Sequence, residues 1–309
     1  MQRLGRFALV LLLSFNFPLI AQQADQSSNE QQEYQLWAEN LWSSMSPQSG
    51  KIALADSIAL LDVPDNFYFL NQEDSKKVLE DIWGNPPGSS EALLGMLFKQ
   101  GTTPFDGDAW GVSIEYEQDG YVSDEDAEQL NYDKLLLEMK NDAQQNSRAR
   151  VEQGYDPIEL VGWAAKPYYD KTSNKLHWAK EFKFGDSATH TLNYNIRILG
   201  RKGVLVLNFI ANIDQLAEID HNIDTVLAMA EFNEGSRYSD FDPDLDDVAA
   251  YGIGALVAGK VIAKTGFLAA AFIFLKKFGI VILIALGALL KKLFWRKDSA
   301  TNDNDTKPS

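Results

Sequence analysis

At 309 residues with no cysteine, the chain has room for one large domain or two ordinary ones, and it excludes disulfides, thiolate metal sites and thiol nucleophiles. Its net charge of −16 is unevenly placed: residues 22–250 hold 41 acidic and 17 basic side chains, whereas residues 251–297 hold 8 basic and none acidic. An acidic body repels a phosphate backbone, which argues against nucleic acid and leaves the membrane, envelope proteins or a cationic ligand as partners.

In chain order, Arg3 and Arg6 precede the apolar run Phe7 to Leu13, and Asn16, Pro18 and Ala21 follow, the layout of a signal peptide over residues 1–21. Residues 22–50 read as a polar linker, disordered over 22–33, with a short helix at Glu33 to Trp42. Lys51 to Val63 reads as a strand, and Asp74 to Trp83 as a helix stopped by Gly84-Asn85-Pro86-Pro87-Gly88. Leu93 to Phe98 and Trp110 to Val122 form an expected strand pair. Ser123 and Asp126 then suggest a capped helix running to about Arg150.

Residues 159–212 carry the clearest pattern. Leu160 to Tyr168 and a strand bearing Leu176, Trp178, Phe182 and Phe184 on one face flank a polar turn, with His177, Ala179, Glu181 and Lys183 on the other face. Leu192, Tyr194, Ile196 and Ile198 alternate with polar neighbours, and Gly200-Arg201-Lys202-Gly203 turns the chain back. Val204 to Ile210 is apolar on both faces and is therefore expected at the centre of a sheet. Ile213, Leu216, Ile219, Ile223, Val226, Leu227 and Ala230 follow at helical spacing. Hairpins followed by a covering helix give an α+β class, an antiparallel sheet with covering helices, for an exported domain over residues 51–248.

The remaining chain reads as membrane-associated. Residues 249–277 are apolar but interrupted by Lys260 and Lys264, which suggests an interfacial or re-entrant helix. Residues 278–295 suffice for a transmembrane helix if Lys291 and Lys292 snorkel, and Trp295 marks an interface. The basic cluster ahead of a polar tail, residues 296–309, predicts a cytoplasmic C-terminus, an inner-membrane location and a periplasmic domain.

No G-x-S-x-G, Walker A or G-x-G-x-x-G occurs, no cofactor is indicated, and an enzyme is the less favoured expectation. His177 and Glu181, on one strand face, form a weak candidate acid/base pair. Asn193, Asn195 and Arg197 share a face that could bind an anion. Asp240, Asp242, Asp244 and Asp246 alternate as calcium ligands could, but Leu245 and Tyr251 stand where an EF-hand needs glycine and glutamate. An acidic linker, or an acid set against a helix N-terminus, explains them more simply.

The stretches GYVSDEDAEQLNYDKLL, GYDPIELVGWAAKPYYDKTSNKLHWAKE, TLNYNIRILGRKGVLVLNFIA and FNEGSRYSDFDPDLDDVAAYGI resemble a family of bacterial membrane-anchored proteins grouped as domain of unknown function 2167. The resemblance covers most of residues 50–295 and implies a signal sequence, an exported domain and a C-terminal anchor. It implies no activity and no functional residues. The leading functional expectation is an envelope binding module, ahead of a hydrolase-like enzyme with dispersed acid/base residues and of a pore-forming C-terminal segment.

Overall fold

The computed structural model describes residues 18–88 and 92–259, which fall into two units divided after Ser46. In the first, helix α1 (Pro18–Ser43) takes in residues 22–33, where disorder is expected from the polar composition. Proline is compatible with a first helical turn, and the Ala, Gln and Glu that follow are good helix formers. At the other end the Ser43 and Ser44 hydroxyls donate to the Asn40 and Leu41 carbonyls, meeting acceptors that the helix leaves open.

The second unit is built on a seven-stranded antiparallel sheet. Its strands are β3 (Phe67–Asn71), β4 (Leu93–Lys99), β5 (Gly111–Glu117), β7 (Ile158–Asp170), β8 (Lys175–Phe184), β9 (Thr191–Leu199) and β10 (Val204–Asn212). The order β3-β4-β5-β10-β9-β8-β7 puts β10 in the middle, as its two apolar faces require. Leu205, Leu207 and Phe209 face one core and Val204 and Val206 the other. A small antiparallel sheet of β1 (Gly50–Leu54), β2 (Ala59–Val63) and β11 (Ala230–Phe232) lies with helix α4 (Leu216–Met229) over the first face. Ile219, Ile223, Val226 and Met229 of α4 are buried there, at the expected spacing.

The second face is covered piecewise. Helix α2 (Gln72–Lys77) and the wide turn after it lie over the β3–β4 end, where Trp83 meets Phe98 edge-on at 6.0 Å. Helices α3 (Tyr132–Glu152) and α5 (Ile253–Ala258) bury Leu135, Met139, Ile253, Leu256 and Val257 against Leu176, Trp178, Leu199, Val204 and Val206. Strands β6 (Tyr121–Ser123) and β12 (Val248–Gly252) form a short parallel pair beside them.

Several local expectations need correction. Lys51 to Val63 is a hairpin, because Ala55, Asp56 and Ser57 adopt left-handed backbone (φ 48°, 54° and 67°) with no glycine to announce a turn. The helix expected after Ser123 begins only at Tyr132. Asn131 caps it by accepting from the Lys134 amide, while the Ser123 hydroxyl accepts locally from Glu125. Trp110 to Val122 is divided into β5 and β6, and Ala230 belongs to β11 rather than α4.

The largest difference concerns the segment expected to lie in the membrane from residue 249. Its first part is β12 and α5, and Ile253 to Val257 are buried in the domain's second core. Asp126 fastens α5, its two carboxylate oxygens accepting from the Ile253 and Gly254 amides at 2.9 and 3.2 Å. A Cβ at Gly252 would stand 2.6 Å from the Asp126 carboxylate, and one at Gly254 would stand 2.8 Å from Leu130, so glycine permits the close approach. Among the described residues no helix is long and apolar enough to cross a membrane. The signal-like residues 1–17, the rest of the apolar segment, the expected span at 278–295 and the tail at 296–309 lie outside the described residues.

Candidate functional site

On β9 and β10 the second sheet face carries polar groups, whereas the first face of the same two strands is apolar. Pairing β8 with β9 and β9 with β10 sets Trp178 beside Asn195, Lys180 beside Asn193, and Asn195 beside Asn208. Ser113 of β5 stands opposite Asn208. The Arg197 guanidinium stacks on the Trp178 ring at 5.1 Å. Arg197 Nε and Nη1, Trp178 Nε1 and Asn208 Oδ1 are buried without a hydrogen-bond partner among the described residues. Three of those four atoms are donors, and none of the three residues lines the cleft described next.

Lys180 lies two positions beyond Trp178 on the same face, where the sheet opens into a cleft of about 260 Å³ between α3, β7, β8 and the end of α5. Its ammonium lies 5.4 Å from the Phe182 ring centroid and makes no ion pair with a carboxylate among the described residues. Burial, reinforced by the like charge of Arg197, lowers its pKa to about 8. Arg197 is pushed down too, by burial, with the charges of Glu117, Glu115 and Tyr251 acting in the opposite direction. The α3 side of the cleft contributes Asp142, Asn146, Ser147 and Arg150, and the floor is apolar, with Met139, Leu160 and Phe182.

Of the residues singled out from sequence, Arg197, Asn193 and Asn195 do share one face. The two asparagine amides are partly committed, donating to the Leu192 and Asn193 carbonyls at 3.4 and 3.1 Å. Lys180 was not legible as a site residue. It sits in register with Trp178 and Phe182, and a lysine in an otherwise apolar face is the signal that could have marked it.

The His177–Glu181 pair does not form. Four residues along a strand separate side chains by about 13 Å, too far for proton transfer. Glu181 instead meets His190, with Oε1 2.5 Å from Nδ1, and His177 lies near the Tyr168 ring, centroids 6.5 Å apart. Burial and nearby Lys175 lower the His177 pKa.

Nor do the alternating aspartates make a metal centre. Asp240 accepts from the Gly235 and Arg237 amides, both at 2.9 Å, Asp242 accepts from Asp244 N at 3.0 Å, and Asp246 accepts from Asp242 N at 2.8 Å and Arg201 Nε at 2.6 Å. Their oxygens hold a loop together, and the Arg201 hydrogen bond keeps the Asp246 carboxyl below its ordinary pKa. Among the described residues no group of three His, Asp or Glu side chains is placed to hold a metal ion.

A second concavity, about 400 Å³ and lined by Asp124, Glu125, Glu128, Tyr132, Tyr168 and Tyr169 among others, has the opposite charge. Its Asp124 is engaged by the Tyr169 hydroxyl at 2.9 Å.

No curated protein matches the sequence. Among solved structures, the fold is similar to that in the "Solution Structure of Cyanobacterial PsbP (CyanoP) from Synechocystis sp. PCC 6803". That likeness has 10% identity and a TM-score of 0.33, covering 62% of this chain and 93% of that one. Residues 46–287 match the family described as "Protein of unknown function (DUF2167)". Most of the chain is matched, including the sheet, its covering helices and the Lys180 cleft, and the chain therefore belongs to the DUF2167 family.

Proposed function

We propose that this is a membrane-anchored envelope protein whose folded domain, residues 47–259, is a binding module with the Lys180 cleft as its ligand site. The observation that carries the binding reading is a half-buried ammonium without a carboxylate partner among the described residues, set in the wall of a cleft. A charge left that way costs folding free energy unless something compensates it. A bound guest supplies the compensation. The enzyme reading has weaker support, because Glu181 and His190 are a two-membered pair on the opposite sheet face from the cleft.

Anchoring draws on the sequence beyond the described residues: a signal-like start, thirteen uncharged residues at 278–290 and a basic cluster at 291–297. It places the bulk of the chain on the periplasmic side of the inner membrane and the C-terminus in the cytoplasm. Burial of Ile253 to Val257 in the domain argues against a membrane segment that starts before Ala258, and so against a pore-forming role for residues 252–257.

Two experiments test the proposal. Absence of cysteine allows Ser173→Cys and Ser299→Cys to be labelled singly with an impermeant maleimide. Position 173 should label in intact spheroplasts and position 299 only after lysis, and labelling of both from outside would contradict a single crossing. For the module, a panel of small acids, amines and alcohols is titrated into the full chain in uncharged nanodiscs. A ligand that binds the wild type and is excluded by Ala143→Phe, which fills the cleft, supports the site. No binding by any member contradicts it.

A further inference from the structure

Resting on that binding reading, we propose that the cleft takes a small monocarboxylate with an apolar chain, its head on the Lys180 ammonium and its chain along Phe182, Leu160 and Met139. The head group follows from charge. Lys180 of β8 lines the cleft and makes no ion pair within the described residues. An anion converts that unfavourable placement into a charge-assisted hydrogen bond. The net acidity of the chain does not oppose this strongly, because exposed charges beyond about 8–10 Å are screened at physiological ionic strength.

The opposite wall refines the choice. Ser147 Oγ already accepts from the Ile158 amide at 2.8 Å, which leaves its hydroxyl proton to donate. Arg150 Nε donates to the Asp156 carbonyl at 3.3 Å, and its guanidinium lies 5.3 Å from the Tyr155 ring centroid, so Arg150 is held at the rim. Asp142, one helical turn before Asn146 on α3, adds a negative charge to the same wall. A single negative charge on the guest is neutralised by Lys180, whereas a phosphate dianion meets repulsion from Asp142. Helix α5 contributes only Ala258 and no charge. The apolar floor and a volume of about 260 Å³ fit a short chain rather than a long acyl tail.

The test uses full-length protein in uncharged nanodiscs, titrated calorimetrically with hexanoate, hexanol, hexylammonium and phenyl phosphate. Hexanoate should bind, Lys180→Met should weaken it at least tenfold, and Lys180→Arg should restore part of the loss. Affinity should fall as pH rises through about 8, where the Lys180 ammonium loses its proton while Arg197 stays charged. If Lys180→Met fails to fold, Lys180→Gln and the pH profile of the wild type carry the same decision. Hexanol or hexylammonium binding as well as hexanoate would overturn the carboxylate assignment and leave the module reading standing. Tighter binding of phenyl phosphate would overturn the preference for a monoanion. Binding of none of the four would overturn the carboxylate assignment, and the mixed panel would then decide the module reading separately.

Discussion

The two faces of the central sheet are made by the same strands and serve different ends. Toward α4, every second residue of β9 and β10 is apolar, with Leu192, Ile196, Leu205, Leu207 and Phe209 fully enclosed. On the reverse side, Val204, Val206 and Leu199 share the surface with Asn195, Arg197 and Asn208, and β8 adds Lys180. A fully buried apolar side chain contributes about 1.5–3 kcal/mol, whereas a buried polar group without a partner subtracts about as much. The first face is thus committed to stability, and the second gives up stability to keep polar groups in place.

That contrast can be broken at either face. The largest effect is expected for Phe209→Ala, which empties a fully buried site at the centre of the first core and should cost about 3–5 kcal/mol in urea unfolding. Lys180→Met should do the reverse and stabilise. Because the folded-state pKa is about 8 against an ordinary value of 10.5, the unfolded chain holds more protons between those values, and wild-type stability rises with pH across that window. The gain from methionine should therefore be greatest below pH 8, on the order of 3 kcal/mol, and vanish near pH 10.5. Comparing the two pH–stability curves checks the sign. Asp126→Ala should cost about 1–2 kcal/mol and speed hydrogen exchange at the Ile253 and Gly254 amides before the sheet responds. Smallest of all, His190→Gln should change stability by less than about 1 kcal/mol, because its partner Glu181 is partly exposed.

The strands from β7 to β10 and helix α4 were legible in the sequence because each buries a face, and burial imposes a period of two or of 3.6. The first hairpin was not, since Ala55 and Ser57, which flank Asp56 in the left-handed run, are not residues that normally mark such backbone. Residues 249–258 misled for a different reason. Small apolar side chains suit lipid and a protein core equally, and only Asp126, more than a hundred residues away, shows which partner is taken. Arg197 and its asparagine neighbours were visible as a polar strand face, but their burial depends on α3 and α5, which reach them from distant parts of the chain. Lys180 was lost among apolar neighbours. The aspartate string misled in the opposite direction, because its alternation resembles a ligand loop although its oxygens accept from nearby amides and Arg201.

The central claim is that the Lys180 amine faces the cleft, unpaired and partly neutral near pH 8. Acylation of the native full chain at pH 8 with limiting acetic anhydride, followed by peptide mass spectrometry, measures this directly against Lys134, whose side chain is 74% exposed. The account predicts that Lys180 is modified faster than Lys134, since an amine with a pKa of about 8 is half neutral at that pH. A Lys180 that stays unmodified until the protein is unfolded, while Lys134 reacts, would mean that the amine is paired or sealed off and would contradict the assignment of the cleft as the binding site.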